Sequence, residues 1–171
     1  ENLCSYFGKL AELETAKNAV DVGSGLSAPA IFWRNKYDQL NLFCVNINFE
    51  QLSFSGPQKN LEFLNSTSTK LPFSDNSVDR ILALESSQHF KPLNDFISES
   101  KRILKSDGIL ILALPVTLGT VSFTKLGILK FTWSSEHYGL EYVKKIVTSY
   151  GFTITDEKLI GKDVYVPLAN Y

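Results

Sequence analysis

Absences narrow the field first. The 171 residues contain no methionine and only two cysteines and two histidines. Cys4 and Cys44 lie far apart and without metal-ligand spacing, so no disulfide framework and no metal site is expected, and a reducing compartment fits best. No Lys/Arg run exceeds two residues, and 17 basic against 18 acidic side chains leave a formal charge of −1. That balance provides no electrostatic footprint for nucleic acid or an anionic membrane surface, and neither is expected as a partner. The longest apolar run, Ile109–Leu114, is far too short to span a bilayer, and no charged-then-apolar leader is seen, so a cytoplasmic protein is expected. Ordinary usage would supply a few methionines. With Glu1 as its first residue, the chain is expected to be a shortened version of a longer one, so short-range motifs carry the reading.

What is present is ordinary in bulk and patterned in detail. A 44% apolar and 20% charged composition is that of a soluble globular protein, and the length suits a single domain over 1–171. A chain of this size buries about 70% of its unfolded surface and needs no covalent staple. Leu3, Tyr6, Phe7, Leu10 and Leu13 follow helical spacing, which predicts an N-terminal helix within residues 1–17. Ala19–Val22 reads as a strand running directly into Gly23-Ser24-Gly25, and Ala28–Tyr37 as a helix with Ser27 at its N-cap. Further strands are expected at Leu42–Ile47, Leu61–Leu64, Val78–Leu84 and Ile109–Leu114. Helices are expected around Phe49–Phe54, over Leu93–Leu104 and over Glu136–Tyr150, the last ended by Gly151. Phe152–Thr155 and Asp163–Val166 read as a final pair of strands. Apolar strands alternating with helices imply an α/β fold with a mostly parallel sheet covered on both faces.

In such a sheet, ligands bind beyond the carboxyl ends of the strands, at the point where strand order reverses. The first strand–helix turn is therefore the candidate site. Two glycines allow a tight turn and a close backbone approach, and the following helix N-terminus offers free amides. Gly23-Ser24-Gly25-Leu26-Ser27-Ala28 formally matches the dinucleotide pattern G-x-G-x-x-G/A, a weak signal alone. Asp21, two residues before the first glycine, disfavours a pyrophosphate and suits a cationic cofactor. The second strand ends in Asn46 and Asn48, with no acid to grip the ribose of NAD.

Four segments in order then carry a resemblance. They are Val20–Gly25, Val45–Leu52, Leu71–Asp79 and Glu99–Gly108. Over residues 17–115, and less strongly at Gly151-Phe152, the chain resembles the class I methyltransferases, in the small-molecule branch labelled type 11. The resemblance implies a Rossmann-like seven-stranded sheet with a C-terminal antiparallel pair, and S-adenosylmethionine as cofactor. It implies that Asp21, Gly23, Ser24 and Gly25 hold the methionine end, that Asn46, Ile47 and Gln51 face the ribose, and that Thr67 and Ser68 meet the adenine edge. Glu85 to His89 would border the methyl group and the acceptor, with Glu85 a cofactor-pocket residue. The chain departs from the family at Ser27, where a third glycine is usual, and at Asn46 and Thr67, where acids are usual. Each lost charge-assisted hydrogen bond costs roughly 1–3 kcal/mol, partly recovered by the neutral replacement.

Methyl transfer from a sulfonium is an in-line displacement, driven largely by alignment. A base is needed only when the acceptor must lose a proton. His89 is the candidate, because histidine exchanges a proton near neutral pH and the family often places one there. Tyr6 and His137 are weaker candidates, with core packing and a surface helix start as their plainer roles. Residues 115–138 form a short cap or substrate segment whose Val116, Leu118, Phe123, Leu126, Ile128, Phe131 and Trp133 are compatible with a hydrophobic small-molecule acceptor. Two other readings stand beside methyl transfer: a methyltransferase-like binding domain with weak or no cofactor affinity, and, lower, a nicotinamide-dependent oxidoreductase.

Overall fold

A computed structural model of the protein describes residues 2–54, 56, 59–118 and 138–164. The chain divides into two compact units, Glu1–Leu114 and Pro115–Tyr171. The first begins with helix α1 (Leu3–Leu10), followed by strand β1 (Asn18–Val22), α2 (Ala28–Lys36), β2 (Asn41–Asn46), α3 (Phe49–Ser53) and β3 (Leu61–Asn65). It continues through β4 (Val78–Leu84), a 3-10 turn at Ser87–His89, α4 (Leu93–Ile103) and β5 (Leu104–Ala113). The strands form one parallel sheet in the order β3-β2-β1-β4-β5. Chain order runs outward from β1 to β3, then returns to the other side of β1. That reversal puts the switch point between the carboxyl ends of β1 and β4.

The two faces of the sheet are set by residue alternation. Ala19, Leu42, Cys44, Leu61 and Leu82 join Phe7 and Leu13 and α2's Trp33 in one buried cluster. Phe7 stacks on Trp33 with ring centroids 6.0 Å apart, and the Trp33 indole N–H donates to the Cys4 carbonyl at 2.7 Å. α1 is thereby anchored on α2. It ends sooner than Leu13, because Glu12 turns into the left-handed region (φ 48°), and Leu13 is buried in the turn that follows. Arg80 of β4 holds that turn: its Nε donates to the Ala11 carbonyl at 2.7 Å and its Nη2 to Thr15 Oγ1 at 3.2 Å.

Two corrections concern the sheet. The fifth strand starts at Leu104 rather than Ile109, with Val78 opposite Leu104 and Arg80 opposite Ile109. Six residues on β5 (Leu104–Ile109) thus span what three span on β4 (Val78–Arg80), so Lys105–Gly108 is an irregularity within the strand. Second, only five strands occur among the described residues, and the expected antiparallel pair is not among them. Phe152–Thr155 has no strand pairing, residues 161–164 are helical, and Tyr165 and Val166 lie outside the described residues. Alternating β-formers become a strand only against a partner ladder with a face to bury, and Thr153, Ile154 and Thr155 remain exposed. In the second unit, α5 (Leu140–Ser149) follows a bridge between Thr117 and Gly139. Most of the expected acceptor segment, with His137 and Trp133, lies outside the described residues.

The two later motif segments prove to be one device. Arg102 of α4 donates to the carbonyls of Leu71 (3.0 Å) and Phe73 (2.7 Å), to Asp75 Oδ1 (2.8 Å), and through two nitrogens to Glu99. Glu99 in turn accepts from the Leu71 amide at 2.8 Å. The hydrogen bonds from Arg102 hold the Glu99 carboxyl below its ordinary range, so its contribution to stability is present at neutral pH and lost as pH falls through that lowered value. Arg102→Ala is expected to cost about 2 kcal/mol, less than its bonds would sum to, because its side chain is one-third exposed and screened by solvent. Urea denaturation checks the loss, and limited proteolysis should show new cleavage within residues 70–77.

Candidate cofactor site

The site begins beneath its loop. Asp21 pairs in register with Cys44 on β2 and Leu82 on β4, so its carboxylate lies on the same sheet face as the α1–α2 cluster. It is 2% exposed, and Oδ2 has no hydrogen-bond partner. Burial raises its pKa to about 7. The thiols of Cys4 and Cys44 are likewise pushed up, first by burial and then by the Asp21 charge, Cys44 to about 12. Buried Ser24 and Ser27 pair through their hydroxyls at 3.3 Å. An ionised carboxylate without a countercharge in such surroundings is costly, and a cation nearby relieves it.

Above Asp21 the backbone turns sharply. Gly23, Gly25 and Ser27 all have positive φ (75°, 55° and 60°). The amides of Gly23 and Ser24 donate to the Val45 carbonyl at 2.7 and 3.2 Å, which ties the loop to β2. Ser27 occupies the expected cap position of α2 but its side chain makes no capping bond, because the left-handed backbone and the bond to Ser24 turn it inward. The two glycines differ in surroundings. A Cβ on Gly23 would lie 2.5 Å from Ser86 Cβ, whereas one on Gly25 would have no neighbour within 4 Å. Gly23 is needed for packing, and Gly25 leaves free space in front of the loop.

The other residues expected at the site fall along the carboxyl edge of the sheet. Asn46, buried at the end of β2, donates to Gln51 Oε1 at 2.8 Å and to the Gly25 carbonyl at 3.3 Å. An uncharged carboxamide pair thus stands beside the loop. Ile47 follows at 76% exposure, an unusual position for so apolar a side chain. Asn65 at the end of β3 donates to the carbonyls of Asn46 and Ile47, and the Ser66 amide donates to the Asn46 carbonyl at 3.2 Å. The half-buried Thr67 and Ser68 come next in that turn. At the end of β4, exposed Glu85 adopts φ 53°. Ser86, Ser87 and Gln88 are buried, and His89 is exposed.

Sequence reasoning placed Ser86 only within the 85–89 segment and missed its contact with the loop, where its hydroxyl donates to the Val22 carbonyl at 2.7 Å. It also missed the neighbour of Asp21 on β2, since nothing local marks Cys44 as lying beside a carboxylate 23 positions away. The described residues hold no group of His, Cys, Asp and Glu able to bind a metal, and no described helix is long and apolar enough to cross a membrane.

The buried Asp21 with its unsatisfied Oδ2, the open side of Gly25 and the polar pair at Asn46 fit a cofactor with a positive charge at one end and a hydroxylated ring at the other. Comparison with known proteins agrees. A family model described as a methyltransferase domain matches residues 20–112. The erythromycin 3''-O-methyltransferase of Saccharopolyspora erythraea is 27% identical over 117 residues, covering 64% of this chain and 38% of that protein. The sterol 24-C-methyltransferase ERG6B of Gibberella zeae is 31% identical over 113 residues, covering 61% and 29%. The chain thus spans well under half the length of either relative. Among solved structures, the Haemonchus contortus phosphoethanolamine N-methyltransferase 2 in complex with S-adenosyl-L-methionine has a TM-score of 0.80 at 18% identity, over 97% of this chain and 40% of that one, a likeness of fold. With more than half of its residues inside the family match, the chain belongs to the class I methyltransferases, in their type 11 branch.

Proposed function

We propose that the chain uses S-adenosylmethionine to methylate an O, N or C atom of a small-molecule acceptor by in-line displacement. The observation that carries this reading is the buried Asp21 carboxylate beneath the glycine loop, whose Oδ2 has no hydrogen-bond partner. A pyrophosphate there would add like charge. The proposed cofactor, when bound, supplies an electrophilic methyl on a positively charged sulfur, and an ammonium besides. Asp21 stabilises that positive charge at short range in a medium that screens it poorly. Gly23, Ser24 and Gly25 admit the methionine end, Asn46, Ile47 and Gln51 receive the ribose, and Thr67 and Ser68 meet the adenine. Glu85 borders the pocket from β4. His89, exposed on the turn after β4, accepts a proton when the acceptor nucleophile carries one. The relatives named for erythromycin and sterol methylation support a small-molecule acceptor.

Titration calorimetry tests the reading. S-adenosylhomocysteine is expected to bind and NAD(H) is not. Absence of binding by either at millimolar concentration would favour a methyltransferase-like domain without catalytic function, which the neutral Asn46 and Thr67 motivate. Binding of NAD(H) alone would restore the oxidoreductase reading. His89→Ala is expected to lower turnover at least tenfold while leaving S-adenosylhomocysteine affinity within about twofold. Equal loss of turnover and affinity would remove His89 from the chemistry.

A further inference from the structure

We propose that Ser86 is a positioning residue that locks the cofactor loop to the turn carrying Gln88 and His89, so that the two sides of the reaction centre are held as one body. The proposal rests on the cofactor reading above. The paired register of β1 with β4 ends at Asp21 and Leu82, one residue short of Val22. At that point the buried Ser86 hydroxyl donates to the Val22 carbonyl at 2.7 Å, a side chain standing where the ladder stops. Ser86 Cβ also packs on the bare α-carbon of Gly23, since the position a Cβ there would take lies 2.5 Å away. The Ser86 carbonyl meanwhile accepts from the His89 amide at 3.0 Å and so closes the 3-10 turn. One residue therefore grips the loop with its side chain and the turn with its backbone.

Two neighbouring observations place this joint at a working position. Glu85, just before it, holds a left-handed backbone (φ 53°) while its amide donates to the Ala113 carbonyl at 2.8 Å. A non-glycine residue kept in that conformation by its surroundings is a recurrent mark of functional sites. Among the described residues, four buried side-chain polar atoms lack a hydrogen-bond partner, and three of them flank the joint in sequence: Asp21 Oδ2 before Val22, and Ser87 Oγ and Gln88 Oε1 after Ser86. Buried polar atoms left unsatisfied in this way ask for a ligand or an ordered water to complete them.

Ser86→Ala isolates the joint, because it removes the hydroxyl and keeps both the Cβ contact and the backbone carbonyl. The measurement is the backbone amide spectrum of the whole chain during titration with S-adenosylhomocysteine, with the ligand-free melting midpoint alongside. In the unsubstituted protein, amides 23–27 and 86–90 should shift together. In Ser86→Ala, Kd should rise five- to twentyfold, and the shifts at 87–90 should fall below half while those at 23–27 persist. The proposal is overturned if the variant binds within twofold of the parent with both segments responding, or if both responses fade equally along with the melting midpoint. Should Ser86→Ala fail to fold, Ser86→Cys keeps the Cβ contact and replaces the hydroxyl with a larger, weaker donor, and it is judged in the same way. If the unsubstituted protein shows no shift at all, the cofactor reading fails. The joint is then judged on ligand-free spectra, where Ser86→Ala must move the amides of both Gly23 and His89, and a change confined to residues 85–87 overturns it.

Discussion

Asp21→Asn is expected to abolish cofactor binding and yet make the ligand-free protein more stable. Its carboxylate has no partner on Oδ2 and sits against an apolar cluster, so ionising it in the fold is unfavourable. The pKa rises from the ordinary 3.8 to about 7 for that reason. Between those values the folded protein holds a proton that the unfolded chain has released. Stability of the ligand-free protein therefore falls as pH rises from about 4 to about 7, then levels off. At about 1.4 kcal/mol per unit, the full shift corresponds to roughly 4 kcal/mol. An asparagine still leaves a buried amide to satisfy, so a net gain of about 2 kcal/mol at pH 8 is the expected result. The gain should largely vanish at pH 5, where the native carboxyl is already neutral. Urea denaturation of both proteins at the two pH values decides it, and an equal difference at both would reject the buried-charge account. Affinity for S-adenosylhomocysteine should fall at least a hundredfold in the variant, since a cation placed beside a carboxylate in these surroundings loses its partner. In the unsubstituted protein, affinity should climb with pH to about 7 and then plateau.

The second large effect separates two glycines that look equivalent in the sequence. Gly23→Ala is expected to cost about 3–5 kcal/mol, enough to unfold many domains of this size. Part is the left-handed backbone, φ 75°, which disfavours any side chain by roughly 1–2 kcal/mol. The larger part is overlap: the new methyl would sit 2.5 Å from Ser86 Cβ and 2.9 Å from its hydroxyl, both held in place by the bond to Val22. Gly25→Ala meets no atom within 4 Å and should cost only about 1 kcal/mol for its φ of 55°. Its effect belongs to the ligand, with an expected ten- to hundredfold loss of S-adenosylhomocysteine affinity as the methyl enters the open space before the loop. Melting midpoints and calorimetry together test the contrast. Equal destabilisation by both substitutions would mean that backbone conformation, and not the Ser86 contact, makes Gly23 necessary.

Much of this was legible before any coordinates. Strand β4 has the bounds expected from the sequence, Val78–Leu84, and β1 runs into the glycine turn as its residues imply. Such features rest on interactions between near neighbours: apolar runs, glycine conformations, a helix start at Ala28. The four motif segments, in order, were enough to identify the family. What local pattern got wrong was decided by pairing at a distance. Leu104 reads as the last residue of a helix, yet it is extended because Val78 lies beside it. Phe152–Thr155 reads as a strand and is not one, because alternation alone supplies no partner.

The site divides in the same way. Asp21, Gly23 and Gly25 stand out in the sequence as a candidate cofactor loop, since the chemistry of a tight turn and a lone carboxylate is local. That Asp21 would face the α1–α2 cluster, beside Cys44 and without a countercharge, follows only from the register of three strands. The same holds for Arg102, which reaches 31 positions back to Leu71, and for Ser86, which reaches 64 positions back to Val22. Sequence alone determined which residues carry charge, turn the backbone or bury themselves, because those are properties of each residue and its neighbours. Tertiary structure decided which of them meet, and a carboxylate's cost or a glycine's necessity depends on what it meets.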